Sequence, residues 1–550
     1  MAAHGLDIRG QEAGAMPGAG YGRFGRMFPF SGAILPDECL RNIATAMIKE
    51  DLSKPIGEAE PVDENPAIPS GYTYFGQFID HDLTFDPTPL AASSVDVAAL
   101  EDFRTPALDL DCIYGSGPDD QPYMYDGHKL RLGVALDKSA KAQTRSDLLR
   151  LPAATKHGRQ PAIIGDKRND ENRIVAQLQS LFISFHNKVI DDRTLIEAVG
   201  GTFDDSNSRF RSAVNIVRWH YQWLAVNDFL ARILEPGMVA EVLGEGVPNL
   251  PNYSKDAARW AYIPVEFAGA AYRFGHSMVR PGYSLNKKVL HVEDPTRKPG
   301  EQDGRISIFS RNPDRRQNLN GFGIPIPDDC GIDWAFFLDN VDRTHLPPAK
   351  FSVPQQSYRI DALLVGPLSD LPEFFGDPSP IGNLAYRNLV RGVSNLRLPS
   401  GEQVARALGI VPMTPEIIWS TGSRLLDRSK LSTDDLKELD EVEKSRNDIL
   451  VKWVNGGKRE LLGNTPLWFY ILREAEYFGV LTKPGEGPTI GFGGQHLGPV
   501  GSRIVAETFI GLLWSDPNSY LRRWPKFQPL SPIAGPGGAF SLGRLAEYVF

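Results

Sequence analysis

The chain has 550 residues, 41% of them hydrophobic and 23% charged, with a formal net charge of −9. That composition supports a large buried core and argues against disorder. Lys and Arg are scattered among a majority of Asp and Glu, so there is no basic stripe for phosphate contacts and a nucleic-acid partner is not expected.

Residues 1–70 are rich in Gly and Pro, offer few apolar positions with a regular period, and read as an irregular arm wrapping something larger. They begin without a basic segment followed by an apolar one, and no later stretch approaches the roughly 18 uninterrupted apolar residues of a membrane span. Cytoplasmic residence is the default expectation, with leaderless export left open. No linker, charge block or repeat marks a seam after residue 70, so residues 71–550 read as one large domain.

The class is mainly α, with long loops and little β. "ENRIVAQLQSLFISFHNKVIDD" spaces Ile174, Leu178, Leu181, Phe182, Phe185 and Val189 by three and four residues, and "SRFRSAVNIVRWHYQWLAVNDFLARIL" continues in the same manner; both predict long core helices. Later starts and stops carry helix-end chemistry: Ser400 with Gln403 before "VARAL" and Gly409 after it, Ser432 with Asp435, and Thr465-Pro466 before "LWFYILREAEYF" with Gly479 closing it. Cys39, Cys112 and Cys330 are far apart and make no CxxC, which signals neither a disulfide framework nor a zinc site and makes them packing residues. His186, His220 and His496 have no ligand-spaced partner and read as structural, and the glycines of "GEGPTIGFGG" precede no Walker lysine.

Four stretches carry chemistry. In "YFGQFIDHDLTFDPTP" three consecutive polar residues, Asp80, His81 and Asp82, interrupt an apolar run, and their burial demands specific partners. If the segment is helical, Gln77, Asp80 and His81 share one face and Asp82 points elsewhere. "GDKRNDEN" offers Arg168 and Glu171 at i and i+3, and "AAYRFGHSMV" offers Arg273 and His276 one turn apart, with Gly275 leaving room for a flat group. In "FRTPALDLDCIYGSG", Thr105, Ala107, Asp109 and Asp111 recur at every second position. An extended loop would turn a hydroxyl, a carbonyl and two carboxylates to one point, a hard-oxygen set that suits calcium, with Asp82 completing it. Each stretch alone is more often a salt bridge, a polar turn or a core histidine.

Together and in this order, these motifs resemble the animal-type haem peroxidases, the peroxidase–cyclooxygenase group, over about residues 70–410, with the C-terminal motifs similar to its microbial branch. The resemblance implies haem b, with His81 as distal histidine beside Gln77, Arg168 as distal arginine and His276 as proximal iron ligand. It further implies that Asn388 bonds the proximal histidine, that Arg273 meets a haem propionate, and that Asp80 and Glu171 match carboxylates ester-linked to haem in mammalian members. A third, sulfonium link requires a methionine where this chain has Asn172, so it is excluded and efficient chloride oxidation is in doubt. For calcium the implied ligands are Asp82, Thr105, the Ala107 carbonyl, Asp109 and Asp111. The implied activity is reduction of hydrogen peroxide through a ferryl haem and oxidation of small donors: iodide, bromide, thiocyanate or phenols. A fatty-acid dioxygenase of the same group is the alternative, disfavoured because "GIDWAFFLDNVDRTHLPPAKF" holds no tyrosine; a calcium-stabilised adhesion scaffold without catalysis is the alternative of another class.

Overall fold

The computed structural model describes residues 22–49, 63–85, 100–136, 145–155, 158–253, 261–287, 305–346, 353–377, 379–419, 429, 433–457, 459–479 and 493–550. Helices dominate, and the three- and four-residue spacing of apolar side chains accounts for them. In Arg173–Val189 all six residues singled out by that spacing are buried, and Asn172 caps the helix, its Oδ1 accepting from Ile174 N and Val175 N at 3.0 Å each. Ser206–Leu224 is capped by Asp205 and runs on through a π-turn, Ala225–Leu230.

Against these two lies Gly71–Leu83. Its Phe75 and Phe78 stack on Phe182 with ring centroids 6.2 and 5.0 Å apart, and both meet Tyr221 edge-on at 6.2 and 6.1 Å. Aromatic pairs of this kind contribute about 0.5–1.5 kcal/mol each beyond burial, which fixes the rotation of the helix about its axis. Gly76 permits the approach of Phe229, whose Cζ lies 2.9 Å from where a Cβ would stand.

The helix ends follow the sequence where they are described. Ser400 and Gln403 form a reciprocal capping box and Gly409 closes that helix at φ +73°, while Leu467–Phe478 starts directly after Pro466. Ser432 lies outside the described residues. Strands are short, two to six residues each, and the sheets have two or three strands.

The arm expected to be irregular is ordered where it is described. Gly22–Gly25 pairs antiparallel with Glu101–Asp102 and parallel with Ile263–Pro264, Asp37–Ala46 is a helix burying Cys39, Leu40 and Ile43, and Glu64–Pro69 pairs with Gln356–Tyr358. The reason is long-range: Met27 N and Phe28 N donate to the buried carboxylate of Glu266, a partner that no local period reveals. One continuous core runs from Phe24 to Val549, and all three cysteines are buried and free. No helix is long and apolar enough to cross a membrane, among the described residues.

Candidate functional site

Gln77, Asp80 and His81 on the 71–83 helix, Arg168 in the 3₁₀ turn Lys167–Asp170 with Glu171 directly after it, and Arg273 and His276 on another such turn line one cavity of about 540 Å³. Gly275 lines it too, and a Cβ there would meet nothing within 4 Å, so the missing side chain leaves free space beside His276.

The state of His81 is fixed by a chain of amides. Gln179 donates through Nε2 to the Cys112 carbonyl at 2.9 Å, Asn169 donates through Nδ2 to Gln179 Oε1 at 2.8 Å, and Asn169 Oδ1 stands 2.8 Å from His81 Nδ1. A backbone carbonyl only accepts, so each amide is oriented in turn and Asn169 presents an acceptor to His81. The ring proton therefore sits on Nδ1 and Nε2 keeps its lone pair. Burial, reinforced by the Arg168 charge, lowers the His81 pKa to about 4, so the imidazole is neutral at physiological pH.

Arg168 is gripped by Asp166: Nη2 meets Oδ2 at 2.7 Å and Nε meets both oxygens at 3.2 Å. Nη2 also donates to the His81 carbonyl at 3.0 Å, while Nη1 makes no hydrogen bond to the described protein. Gln77 bridges Glu171, to which it donates at 3.3 Å, and Asn172, from which it accepts at 3.1 Å. Glu171 Oε2 is 4.0 Å from His81 Nε2. Burial and then the neighbouring Glu373 charge push Glu171 up to about 8; a carboxyl held neutral does not draw a proton onto His81. Asp80 accepts from Thr84 Oγ1 at 3.1 Å.

On the other wall, Asn388 Nδ2 stands 2.8 Å from His276 Nδ1 and Asn388 Oδ1 accepts from Arg273 Nη1 at 2.9 Å. Arginine only donates, so here the amide turns its NH₂ to the histidine, the reverse of the arrangement at His81. Trp468 meets the His276 ring edge-on at 6.3 Å and donates to the Arg273 carbonyl at 3.1 Å. Burial, then Arg273 and Arg387, lower the His276 pKa to about 3.

Behind the 71–83 helix, Asp82, Asp109 and Asp111 are all buried and bring one carboxylate oxygen each within 4.8 Å of one another. Asp82 Oδ2 accepts from Leu110 N and Tyr221 Oη at 3.1 Å each, whereas the buried Asp82 Oδ1 has no partner. Thr105 Oγ1 donates to Asp109 Oδ2 at 2.9 Å. Burial first of all raises the pKa of all three carboxyls, with the Asp109 and Asp111 charges adding to it at Asp82, Asp109 at Asp111 and Asp516 at Asp109. Three crowded carboxylates, one of which keeps a buried oxygen without a partner, fit a cation such as calcium. The loop is not the extended one expected: it bends, and Leu110 takes a left-handed φ of 60° just before Asp111. Ala107 N donates to the Thr105 carbonyl within the bend.

Sequence reasoning missed Asn169, Asp166 and Arg104. Each stands within three residues of a flagged residue, but its role depends on partners far along the chain. Conversely His186, His220 and His496 are buried and bonded to protein groups: His186 to Tyr114 Oη, His220 to the Ile216 carbonyl and His496 to the Leu497 carbonyl.

Residues 101–312 match the family model described as animal haem peroxidase. That span includes Arg168, Glu171, Arg273 and His276 and starts after the His81 helix. No curated protein sequence matches the chain. Among solved structures, the fold is similar to peroxidase A from Dictyostelium discoideum, with TM-score 0.52 and 14% identity, covering 91% of this chain and 88% of that one. It is equally similar to a fatty acid alpha-dioxygenase from Arabidopsis thaliana, with TM-score 0.51 and 16% identity, covering 91% of this chain and 73% of that one.

Proposed function

We propose that this chain is a haem-dependent peroxidase that reduces hydrogen peroxide and oxidises small donors such as iodide, bromide, thiocyanate or phenols; the match of residues 101–312 to the animal haem peroxidase model supports this reading. The observation that carries this reading is the amide chain from Cys112 to His81, which delivers a neutral imidazole with a free Nε2 into the cavity that Arg168 and His276 also line.

His276 would hold the iron, and Gly275 leaves the space that a macrocycle needs beside it. For Nε2 of His276 to ligate a metal, Nδ1 must carry the ring proton, so the Asn388 amide has to turn its Oδ1 to the histidine. Arg273 would then exchange Asn388 for a haem carboxylate. Asp80 and Glu171 are the groups available for ester links. Bound haem supplies the iron centre that takes peroxide and the oxidising equivalents passed to the donor.

The chain's own residues do the proton work. His81 takes a proton at Nε2 and returns it to the departing oxygen, so that water leaves; Nδ1–H stays bonded to Asn169 and prevents the ring from turning. Arg168, buried on one side against Asp166, stabilises negative charge in the cavity without reorganisation. Calcium is proposed at Asp82, Asp109 and Asp111 with Thr105 and the Ala107 carbonyl, one residue from His81.

The deciding experiment is the visible spectrum of the purified protein before and after stoichiometric hydrogen peroxide. A Soret band that shifts with peroxide and returns faster with iodide or a phenol supports the proposal; a protein that takes up no haem overturns it. A second reading, fatty-acid oxygenation, is favoured by the apolar wall of Leu368, Leu371, Phe374, Ile381 and Leu384 in the same cavity. Oxygen uptake with a polyunsaturated fatty acid, without added peroxide, would put it first.

A further inference from the structure

Between the buried carboxylate cluster and the cavity runs an uninterrupted line of ion pairs. Asp111 Oδ1 meets Arg104 Nη1 at 3.1 Å; Arg104 Nη2 meets Asp166 Oδ2 at 2.8 Å; the same Asp166 oxygen meets Arg168 Nη2 at 2.7 Å. Both guanidiniums also lie over the Phe85 ring, at 4.8 Å for Arg168 and 5.9 Å for Arg104. The side chains of Arg104, Asp111 and Asp166 are 11%, 7% and 1% exposed, so solvent screens this line poorly. Arg104 is anchored besides, donating to the Gly165 carbonyl at 3.2 Å and through its own N to Asp102 at 3.1 Å.

We propose that Arg104 is a positioning residue that couples the cation site to the hydrogen-bonding capacity of Arg168 in the cavity; the proposal rests on the peroxidase reading above. Arg104 divides its two nitrogens between Asp111 and Asp166. A cation on Asp111 withdraws that carboxylate and leaves Arg104 to Asp166. Asp166 then needs Arg168 less, and the Arg168 guanidinium is freer to bond an anion in the cavity. Without the cation, Asp111 claims Arg104, and Asp166 draws Arg168 back. One bridging side chain thus converts filling of the cluster into a change at a group that does not touch it.

The test uses the haem-loaded full chain and cyanide, an anionic haem ligand that Arg168 can bond. Cyanide affinity is measured by titration of the Soret band, in calcium buffer and after removal of calcium with a chelator. In the unsubstituted protein, calcium removal is expected to weaken cyanide about tenfold, a coupling of about 1.4 kcal/mol. R104Q is expected to show that weakening already in calcium and to change less than twofold when calcium is removed; R104K, which keeps the charge but not the fork, should fall between them. Calcium affinity of the haem-free proteins, read by calorimetry, should rise in R104Q because a competitor for Asp111 is gone. If R104Q loads haem and calcium yet keeps both the cyanide affinity and its calcium dependence, the coupling is wrong and the peroxidase reading stands. If the unsubstituted protein takes up no haem, both fall.

Discussion

The tautomer of His81 is set at the far end of its amide chain by the Cys112 carbonyl, three groups away. His81→Ala should therefore remove a base whose contribution is about 10²–10⁴-fold, and Arg168→Leu should be of similar severity, in both cases with haem still bound. Asn169→Leu keeps the base but releases its ring, and a loss of about tenfold is expected. Stopped-flow measurement of the Soret change with peroxide checks all three, and an unaltered rate in the His81 variant would end its assignment. The motif around Arg168 was legible in the sequence because Arg and Glu stand three apart in a charged run. Asn169, in the same run, was not, because an asparagine declares a role only once Gln179 and His81 are known to face it.

At the scale of elements, the helical face of Gln77, Asp80 and His81 follows from spacing, and the structure places all three on the cavity. The segment bearing Arg273 and His276 is a 3₁₀ turn, Ala271–His276. Residues three apart eclipse in that geometry, which is how both reach Asn388. The loop of Thr105 to Asp111 was misjudged as extended because period-two spacing cannot disclose a left-handed residue such as Leu110. Gly275 gives an element-level prediction. Its φ is not of the left-handed class and a Cβ meets open space, so Gly275→Leu should leave the melting temperature of the haem-free protein within about 1 °C while blocking haem uptake. A large loss of stability on substitution would mean that Gly275 serves the fold instead. Asn172 serves two neighbours, capping the Arg173–Val189 helix and holding Gln77; Asn172→Met should cost about 1 kcal/mol through the lost cap, readable as a lower urea midpoint.

For the molecule as a whole, acid and chelation should act through buried groups. His186 and His220 are both lowered to about 4 by burial, against about 6.5 when unfolded. Between those values the unfolded chain binds more protons than the folded one, so stability is complete above pH 6.5 and falls as the pH drops towards 4. The loss is on the order of 3 kcal/mol per histidine over that window, and urea midpoints that stay flat from pH 7 to pH 5 would contradict it. Removing calcium should destabilise the chain by about 3 kcal/mol relative to a calcium concentration a hundredfold above the dissociation constant, seen as a lower melting temperature, and Asp82→Asn should abolish the difference.

The strand Gly22–Gly25 and the turn after it reach partners that come much later in the chain. Met27 and Glu266 are separated by 239 residues, and the partner strand at Ile263–Pro264 is equally remote. At about 5–20 residues per second, a nascent chain would expose this segment for roughly ten to fifty seconds before its binding place exists. Phe24, Met27 and Phe28, all buried at the end, thus wait uncovered for partners made some 239 residues later. Successful production of this protein then depends on what shields them meanwhile, and slower growth with chaperone co-expression should raise the soluble yield more than any change to the site.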